Sequence, residues 1–184
     1  MLRILPLDAR NRGALNQADT RYLAGDRVQV RVTHMGFVPQ YAPLATAEWR
    51  QLSAARAFDA DKLLADPKAA CFLAYEGSVC VGQSVAHLVP HRLCELWDLR
   101  VDSQFRRQGV ATALLEHCME WARAQGRAGM RVETSDDHPV LCQFLQSCGF
   151  TLGGVDKLWH RADAAQQDRP AALRESVLTF YRFF

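Results

Sequence analysis

The chain has 184 residues, 49% of them hydrophobic and 23% charged, and its 22 basic and 20 acidic residues give a formal net charge of +2. This composition excludes a disordered chain, and the lack of a long basic run excludes a general nucleic-acid surface. No apolar run approaches the ~20 residues of a membrane span, and the apolar part of the N-terminus is too short for a signal peptide. We expect one cytoplasmic domain that binds neither nucleic acid nor a membrane.

The N-terminal region reads as strands separated by helix-like stretches. Leu2 to Leu7 has the pattern of a strand, and the polar stretch that follows, up to about Ala24, is helix-like. Apolar and polar residues alternate over residues 27–33, which predicts a half-buried strand. Residues 37–43 continue the strand pattern but are interrupted by prolines, and residues 48–58 are predicted to be helical.

A hairpin and a further strand follow in the middle of the chain. Residues 59–67 have the composition of a capped turn. Ala70 to Tyr75 and Val79 to Val89 read as two strands joined by the turn Glu76-Gly77-Ser78, which predicts a hairpin. The next apolar run, Arg92 to Val101, predicts a third strand beside them.

Residues 110–125 have the spacing of an amphipathic helix, and Gly126 is typical of the residue that ends one. One apolar stripe indicates that the helix packs on the sheet, which would fix the direction of its first backbone N–H groups. The residues of the stripe are Val110, Ala113, Leu114, Cys118, Trp121 and Ala122.

The loop that opens this helix has the features of an anion-binding cradle. Its sequence, Arg106-Arg107-Gln108-Gly109-Val110-Ala111, brings a glycine and two arginines to the helix start. Unpaired N–H groups and a partial positive charge lie there, so the loop can wrap a pyrophosphate. Neither G-x-G-x-x-G nor G-x-x-x-x-G-K-[ST] fits the spacing, which predicts a nucleotide of another kind.

The C-terminal part consists of short elements. A strand at residues 130–134 and a short helix precede Cys148-Gly149-Phe150, which opens another strand. Residues 162–172 are expected to form a surface loop before an aromatic terminal strand, Val177 to Phe184. The six cysteines lack any C-x-x-C spacing, so we expect buried, reduced thiols and no metal site.

Arg106, Gly109 and Ala111 realise the pattern Arg-x-x-Gly-x-Ala, which resembles the acetyl-CoA pyrophosphate motif of the GNAT superfamily of N-acetyltransferases. Residues 131–156 and the aromatic terminal strand resemble the streptothricin acetyltransferase branch. The resemblance covers residues 70–184 and weakens before them. It implies a single α/β (α+β) GNAT domain over residues 1–184, with a mixed, twisted sheet of about seven strands, helices on both faces, and a splay between its fourth and fifth strands.

The resemblance also implies the activity. A primary amine of a small molecule, such as a streptothricin- or aminoglycoside-like antibiotic or a polyamine, would attack the thioester of acetyl-CoA directly. Pantetheine would lie in the splay and bond to the backbone of Leu99 and Val101. The residues assigned to the cofactor are Leu99, Arg100, Val101, Arg106, Arg107, Gln108, Gly109, Val110, Ala111, Thr112, His138 and Cys142.

The strand before the cradle carries two candidate general bases, Glu95 and Asp98. An acceptor amine must be neutral at attack, so a carboxylate must accept a proton directly or through water. A separation of three residues predicts opposite faces of a regular strand, which allows only one of the two into a given site. Glu95 falls where several superfamily members carry their base, and Asp98 matches an acid of the streptothricin-like branch; we rank Glu95 first.

Two departures from the family pattern affect the chemistry. His138 stands where many relatives have a cofactor-contacting Asn, and Leu145 stands where many have a Tyr that protonates the departing thiolate. Leucine cannot donate a proton, so Tyr181 in the terminal strand is the candidate replacement; the alternative is that this strand is core or a dimer seam, which leaves a homodimer open. The alternatives to a small-molecule enzyme are a peptide or protein amine acetyltransferase and a CoA-ester-binding module with weak catalysis.

Overall fold

The computed structural model of the protein describes residues 1–19, 21–51, 57–159 and 175–184. Within these ranges the strands are β1 (Leu2–Pro6), β2 (Arg21–Thr33), β3 (Gly36–Gln51), β4 (Ala69–Glu76), β5 (Val79–Val89), β6 (Leu93–Val101), β7 (Gly129–Ser135), β8 (Thr151–Asp156) and β9 (Val177–Phe183). The α-helices are α1 (Ala60–Ala65), α2 (Val110–Ala124) and α3 (Pro139–Ser147).

Seven strands form one mixed sheet in the order β1-β4-β5-β6-β7-β9-β8, and β2 and β3 form a two-stranded sheet. The pairs β1 with β4, β4 with β5 and β5 with β6 are antiparallel. β6 and β7 are neighbours joined through α2, the crossover connection of parallel strands. This confirms the predicted α/β fold with a mixed seven-stranded sheet; the splay stays a prediction.

The internal contacts of the chain divide it into two compact units. The first unit comprises residues 1–22, 51–131 and 183–184, and the second comprises residues 23–50 and 132–182. A single domain over the whole chain therefore stays a prediction.

In the first unit, the neighbouring strands β1, β4, β5 and β6 have a helix on each face. Val110 and Leu114 of α2 pack with Val81 on one face. Leu63 of α1 packs near Val85 on the other face. Within this unit, the prediction of helices on both faces is confirmed, and so is the role of the apolar stripe as the contact of α2 with the sheet.

A β-bulge at Trp97 changes the direction of the side chains of β6. Leu96 is paired with Ala86 and Asp98 with Val85, so Trp97 is the additional residue of the ladder. One additional residue shifts the alternation of a strand, because side chains beyond it point to the opposite face from the one that a regular strand would give them.

The bulge brings the two candidate bases to the same face of the sheet. Glu95 is paired with His87 and Asp98 with Val85, and these two partners lie two residues apart in β5. Residues two apart in a strand share a face. The prediction that Glu95 and Asp98 lie on opposite faces is therefore wrong, because it assumed a regular strand.

The N-terminal region contains more strand than the sequence predicts. Among the described residues of the predicted helix-like stretch, the one helical element is a 3₁₀ turn, Arg12–Ala14, and β2 already begins at Arg21. β3 runs through its prolines to Gln51, so the helix predicted from residue 48 is wrong over residues 48–51. Pairing of β3 with β2 overrides the local helical preference there. Residues 52–56 and the predicted loop at 162–172 lie outside the described residues.

In the second unit, β8 and β9 form an antiparallel pair, so the predicted terminal strand is part of the sheet. The register shifts at Gly153, where the ring of Tyr181 lies so close that an added Cβ would be 2.6 Å from its Cδ2. Arg182 donates from its guanidinium to the carbonyl of Cys148 at 2.7 Å, which ties β9 to the end of α3.

Candidate functional site

The start of α2 forms a concave surface of backbone N–H groups. Gly109 caps the helix with φ = +84°, and Arg107 has φ = +64°. Left-handed residues on either side of Gln108 are typical of a backbone nest that binds an anion. The first N–H groups of a helix have no intrahelical acceptor, and a glycine cap supplies no side chain for them. A Cβ added at Gly109 would meet nothing within 4 Å, so the space in front of the helix is open.

Two side chains of the cradle hold the loop itself. Arg106 donates from Nε to the carbonyl of Val101 at 2.9 Å and from a terminal nitrogen to the carbonyl of Asp19 at 3.2 Å. Gln108 donates to the carbonyl of Gln104 at 3.0 Å. Arg107 is exposed. The loop thus has the backbone shape expected of an anion-binding cradle, with Arg106 fixing that shape and Arg107 placing a charge at its surface, and its binding of a cofactor stays a prediction.

Glu95 lies in the strand before the cradle, on the face of β6 opposite α2. A terminal nitrogen of Arg131 in β7 lies 3.2 Å from Glu95 Oε1. The indole N–H of Trp97 donates to Glu95 Oε2 at 3.3 Å. The side chain of Glu95 is 18% exposed. Each carboxylate oxygen thus has a fixed donor, while part of the group stays open to solvent or a ligand.

Asp98 lies on the same face but is locked in a buried network. Arg100 donates to both of its oxygens at 2.8–3.0 Å, and Gln83 donates to Oδ2 at 2.7 Å. The oxygen of the Gln83 amide accepts the backbone N–H of Asn16 at 2.6 Å. Burial raises the pKa of the Asp98 carboxyl, while Arg100 and then Gln83 oppose the rise by stabilising its charged form.

The two carboxylates are suited to different roles because their surroundings differ. Both carboxylates have a donor at each oxygen, but the side chain of Asp98 is 7% exposed and that of Glu95 is 18% exposed. A base must be within reach of the proton that it accepts. Glu95 fits that requirement better than Asp98, and the buried pair of Asp98 and Arg100 supports the strand that carries Glu95. The side chain of Arg100 lies in this network, and its contact with the cofactor stays a prediction.

Residues 37–150 match the model of the Acetyltransferase (GNAT) family. The chain belongs to this family. The match includes the hairpin of β4 and β5, β6 with its bulge, the cradle and α3. The predicted resemblance is thereby confirmed.

The relatives are streptothricin acetyltransferases by name. A streptothricin acetyltransferase from Escherichia coli is 29% identical over 118 residues, 64% of each chain, and streptothricin acetyltransferase A from Bacillus subtilis (strain 168) is 28% identical over 114 residues, 62% of each. The chain thus spans somewhat less than two thirds of these curated relatives' lengths.

Two solved structures share the fold over almost the whole chain. A putative streptothricin acetyltransferase from Bacillus anthracis str. Ames, in complex with acetyl coenzyme A, has a TM-score of 0.89 at 18% identity and covers 100% of both chains. Nourseothricin acetyltransferase has a TM-score of 0.79 at 21% identity, with 99% of this chain and 98% of that one covered. At these identities the likeness shows the GNAT fold.

Three predicted site residues lie in the second unit, and their roles stay predictions. Tyr181 is half-buried with its ring over Gly153. His138 precedes α3, and its N–H donates to the carbonyl of Ser135 at 3.0 Å. The side chain of Cys142 is fully buried, which raises the pKa of its thiol to about 12. A thiol without exposed surface cannot contact a cofactor unless its surroundings move.

The sequence analysis missed a buried charge cluster after β7. Asp136 and Asp137 are both buried. Arg27 of β2 lies 3.3 Å from Asp136 Oδ2 and 3.6 Å from Asp137 Oδ1, and Arg50 of β3 also binds Asp137. The run Ser-Asp-Asp-His directly after a strand was the available signal. Its partners could not be found from sequence, because β3 was predicted to end before Arg50.

Within residues 1–19, 21–51, 57–159 and 175–184, no group of three or more His, Cys, Asp or Glu residues could hold a metal ion. None of the helices in those ranges is long and apolar enough to cross a membrane. The six cysteines are free thiols, of which Cys71, Cys94, Cys118 and Cys142 are buried and Cys80 and Cys148 are half-buried.

Proposed function

We propose that the protein is an N-acetyltransferase that transfers an acetyl group from acetyl-CoA to a primary amine of a small molecule, by direct attack and without an acyl-enzyme. One observation carries the proposal. The helix α2 has Gly109 as its N-cap, with no capping side chain bonded to its first N–H groups, and it follows the strand that presents Glu95. An anion site and a partly exposed carboxylate on one strand–loop–helix segment are what an acyl-CoA and an amine require.

The residues of the cradle fit the pyrophosphate of acetyl-CoA. The open space at Gly109 lets an anionic group approach the N–H groups of Val110, Ala111 and Thr112. Arg107 adds a full positive charge at the surface of the loop. The backbone of Leu99 and Val101 would hold the pantetheine arm. When bound, acetyl-CoA supplies the acetyl thioester.

Glu95 is the proposed general base. It would accept the proton that the acceptor amine loses, directly or through a water. Arg131 and Trp97 hold its two oxygens, so its orientation is fixed before the substrate arrives. Asp98 keeps its place as the second candidate, although its oxygens are already engaged by Arg100 and Gln83.

The acceptor that we propose is a streptothricin-like compound. The names of the two curated relatives support this class. Aminoglycosides and polyamines, which also carry primary amines, are the alternatives within the same chemistry. Purified protein would be mixed with acetyl-CoA and streptothricin, an aminoglycoside, spermidine or a peptide with a free N-terminus, and release of the CoA thiol would be followed.

We expect streptothricin to give the fastest thiol release in this panel. A faster reaction with the peptide would favour a peptide amine acetyltransferase. Tight acetyl-CoA binding in calorimetry, with no thiol release above the rate without acceptor, would favour a binding module instead. Absence of acetyl-CoA binding would contradict the proposal as a whole.

The base is tested by Glu95→Gln, which keeps the shape of the side chain and removes its basicity. We expect kcat to fall roughly 10²- to 10⁴-fold at neutral pH, with a smaller loss at higher pH where more of the amine is already neutral. Asp98→Asn is the comparator. It leaves the buried Arg100 without its charged partner, so it should lower the stability by about 3 kcal/mol and affect kcat of the folded protein less. If Asp98→Asn alone abolishes turnover in folded protein, the assignment of Glu95 is wrong.

A further inference from the structure

The residue at the bulge of β6 connects Glu95 to a second pair of titratable groups. The indole N–H of Trp97 donates to Glu95 Oε2 at 3.3 Å. Its ring system is stacked on His87 of β5, with ring centroids 4.1 Å apart and planes 7° from parallel. His87 Nε2 lies 3.2 Å from Asp66 Oδ2, before β4. A continuous series of contacts therefore connects Asp66 to Glu95 through His87 and Trp97.

The bulge is what makes these contacts available. In a regular strand, the residue two positions after Glu95 would pair with a residue of β5. The additional residue of a bulge does not pair in this way, and its side chain is re-aimed. Trp97 can thus lie flat on the ring of His87 while its N–H reaches the carboxylate.

The charge of the donor also matters for a base. Arg131 already supplies a positive charge to Oε1 of Glu95. A second cation at Oε2 would form a second ion pair with the carboxylate. An indole N–H is a donor without charge, so it orients Oε2 without forming such a pair.

We propose that Trp97 is a positioning residue that holds the Glu95 carboxylate in its working orientation, with the His87–Asp66 pair bracing the indole ring from behind. This inference rests on the proposed function, in which Glu95 is the base. The groups that face Glu95 are Arg131 on β7, His87 on β5 and Trp97 on β6, with Asp66 behind His87.

The test variant is Trp97→Phe, which keeps an aromatic ring for stacking and removes the indole donor. We expect kcat to fall about 10-fold, with the KM for acetyl-CoA within about 2-fold of the wild type, because the cradle is untouched. Loss of a donor to a carboxylate favours its protonated form, so the acidic limb of the kcat/KM profile should move up by roughly 0.5–1 pH unit.

The matched control is Trp121→Phe, the same change at a half-buried residue of α2 in the same unit. Its pH profile should match that of the wild type, even if its melting temperature falls as much as that of Trp97→Phe. A third variant, His87→Phe, keeps the stacked ring and removes the bond to Asp66; we expect it to shift the profile less than Trp97→Phe. An unchanged profile in Trp97→Phe, or an equal shift in Trp121→Phe, would overturn the inference.

A measurement without substrate separates this inference from the proposed function. Protein labelled with ¹³C at glutamate carboxyls would be titrated by NMR, with the Glu95 signal assigned from Glu95→Gln. A higher titration midpoint for Glu95 in Trp97→Phe than in the wild type supports the contact, whatever the enzyme acts on. Equal midpoints overturn it. A higher midpoint together with full activity of Glu95→Gln would mean that the contact exists but that Glu95 is not the base, so Trp97 would position no base.

Discussion

The absence of a side chain at Gly109 keeps the cradle open. It has a left-handed backbone, and the space where a side chain would begin is open. Most residues avoid φ near +84°, but Asp and Asn tolerate it better than others. A carboxylate would then occupy the place proposed for the pyrophosphate of acetyl-CoA.

We therefore predict that Gly109→Asp weakens acetyl-CoA binding at least ~100-fold in calorimetry, through bulk and like charge. The melting temperature should fall by only a few degrees, because the favourable interaction of an acid with the helix dipole partly offsets the strain of a side chain at positive φ. Gly126→Asp is the control, since Gly126 also has a positive φ, +67°, and open space, at the other end of α2. Equal affinity in Gly109→Asp and the wild type would remove the cradle from the cofactor site.

At the scale of elements, the two-stranded sheet of β2 and β3 depends on the buried charges after β7. An isolated pair of strands is marginally stable in water. In the second unit, Arg27 and Arg50 reach from these strands to Asp136 and Asp137, and the N–H of Val28 donates to the carbonyl of Asp136 at 2.9 Å. These bonds give the sheet an attachment that its own hydrogen bonds do not supply.

Asp137→Asn tests this attachment by hydrogen exchange. We predict that protected amides of β2 and β3, such as that of Val28, exchange about 10- to 100-fold faster, because Arg50 loses a buried partner at a cost of roughly 1.4–2.8 kcal/mol. Glu48→Gln is the control: Glu48 also pairs with Arg50 but its side chain is 62% exposed, so its removal should matter little. Equal exchange rates in the two variants would mean that the attachment lies elsewhere.

The sequence predicted β4 to β6, α2 and the cradle, because hairpin turns, helical spacing and a glycine at a helix end are local signals. It failed where the outcome depends on a partner elsewhere in the chain. The helix predicted from residue 48 is a strand over residues 48–51 because β3 pairs with β2. The bulge at Trp97 has no local signature, since neither glycine nor proline marks it, and so the shared face of Glu95 and Asp98 could not be predicted.

At the scale of the molecule, the reactivity of each thiol depends on how deeply it is buried. Burial raises the pKa of Cys71, Cys94, Cys118 and Cys142 to about 12. Only the thiolate reacts with disulfide reagents, and its fraction at pH 8 falls about tenfold for each unit by which the pKa rises. Cys80 and Cys148 are only half-buried.

We predict that Cys80 and Cys148 react first with a disulfide reagent at pH 8 and that the other four thiols react at least ~100-fold more slowly. Addition of denaturant should make all six react at similar rates, and raising the pH toward 12 should speed the slow group. Mass spectrometry of the labelled peptides identifies the order. Fast labelling of Cys118 in native protein would contradict the closed packing of α2 on the sheet.

The bulge in β6 has a consequence for how such an enzyme can change over generations. Loss of the single codon for Trp97 would restore regular pairing between β5 and β6 without disturbing the cradle that follows. Every side chain upstream of the lost residue would keep its partner in β5 and its face, because Glu95 and Asp98 would then be two positions apart in a regular strand. A descendant of this kind would keep the fold, the cradle and the direction of its proposed base, while that base lost the indole donor at Oε2. In such a lineage, the register of the proposed site would survive one in-frame deletion that removes the contact proposed to position its base.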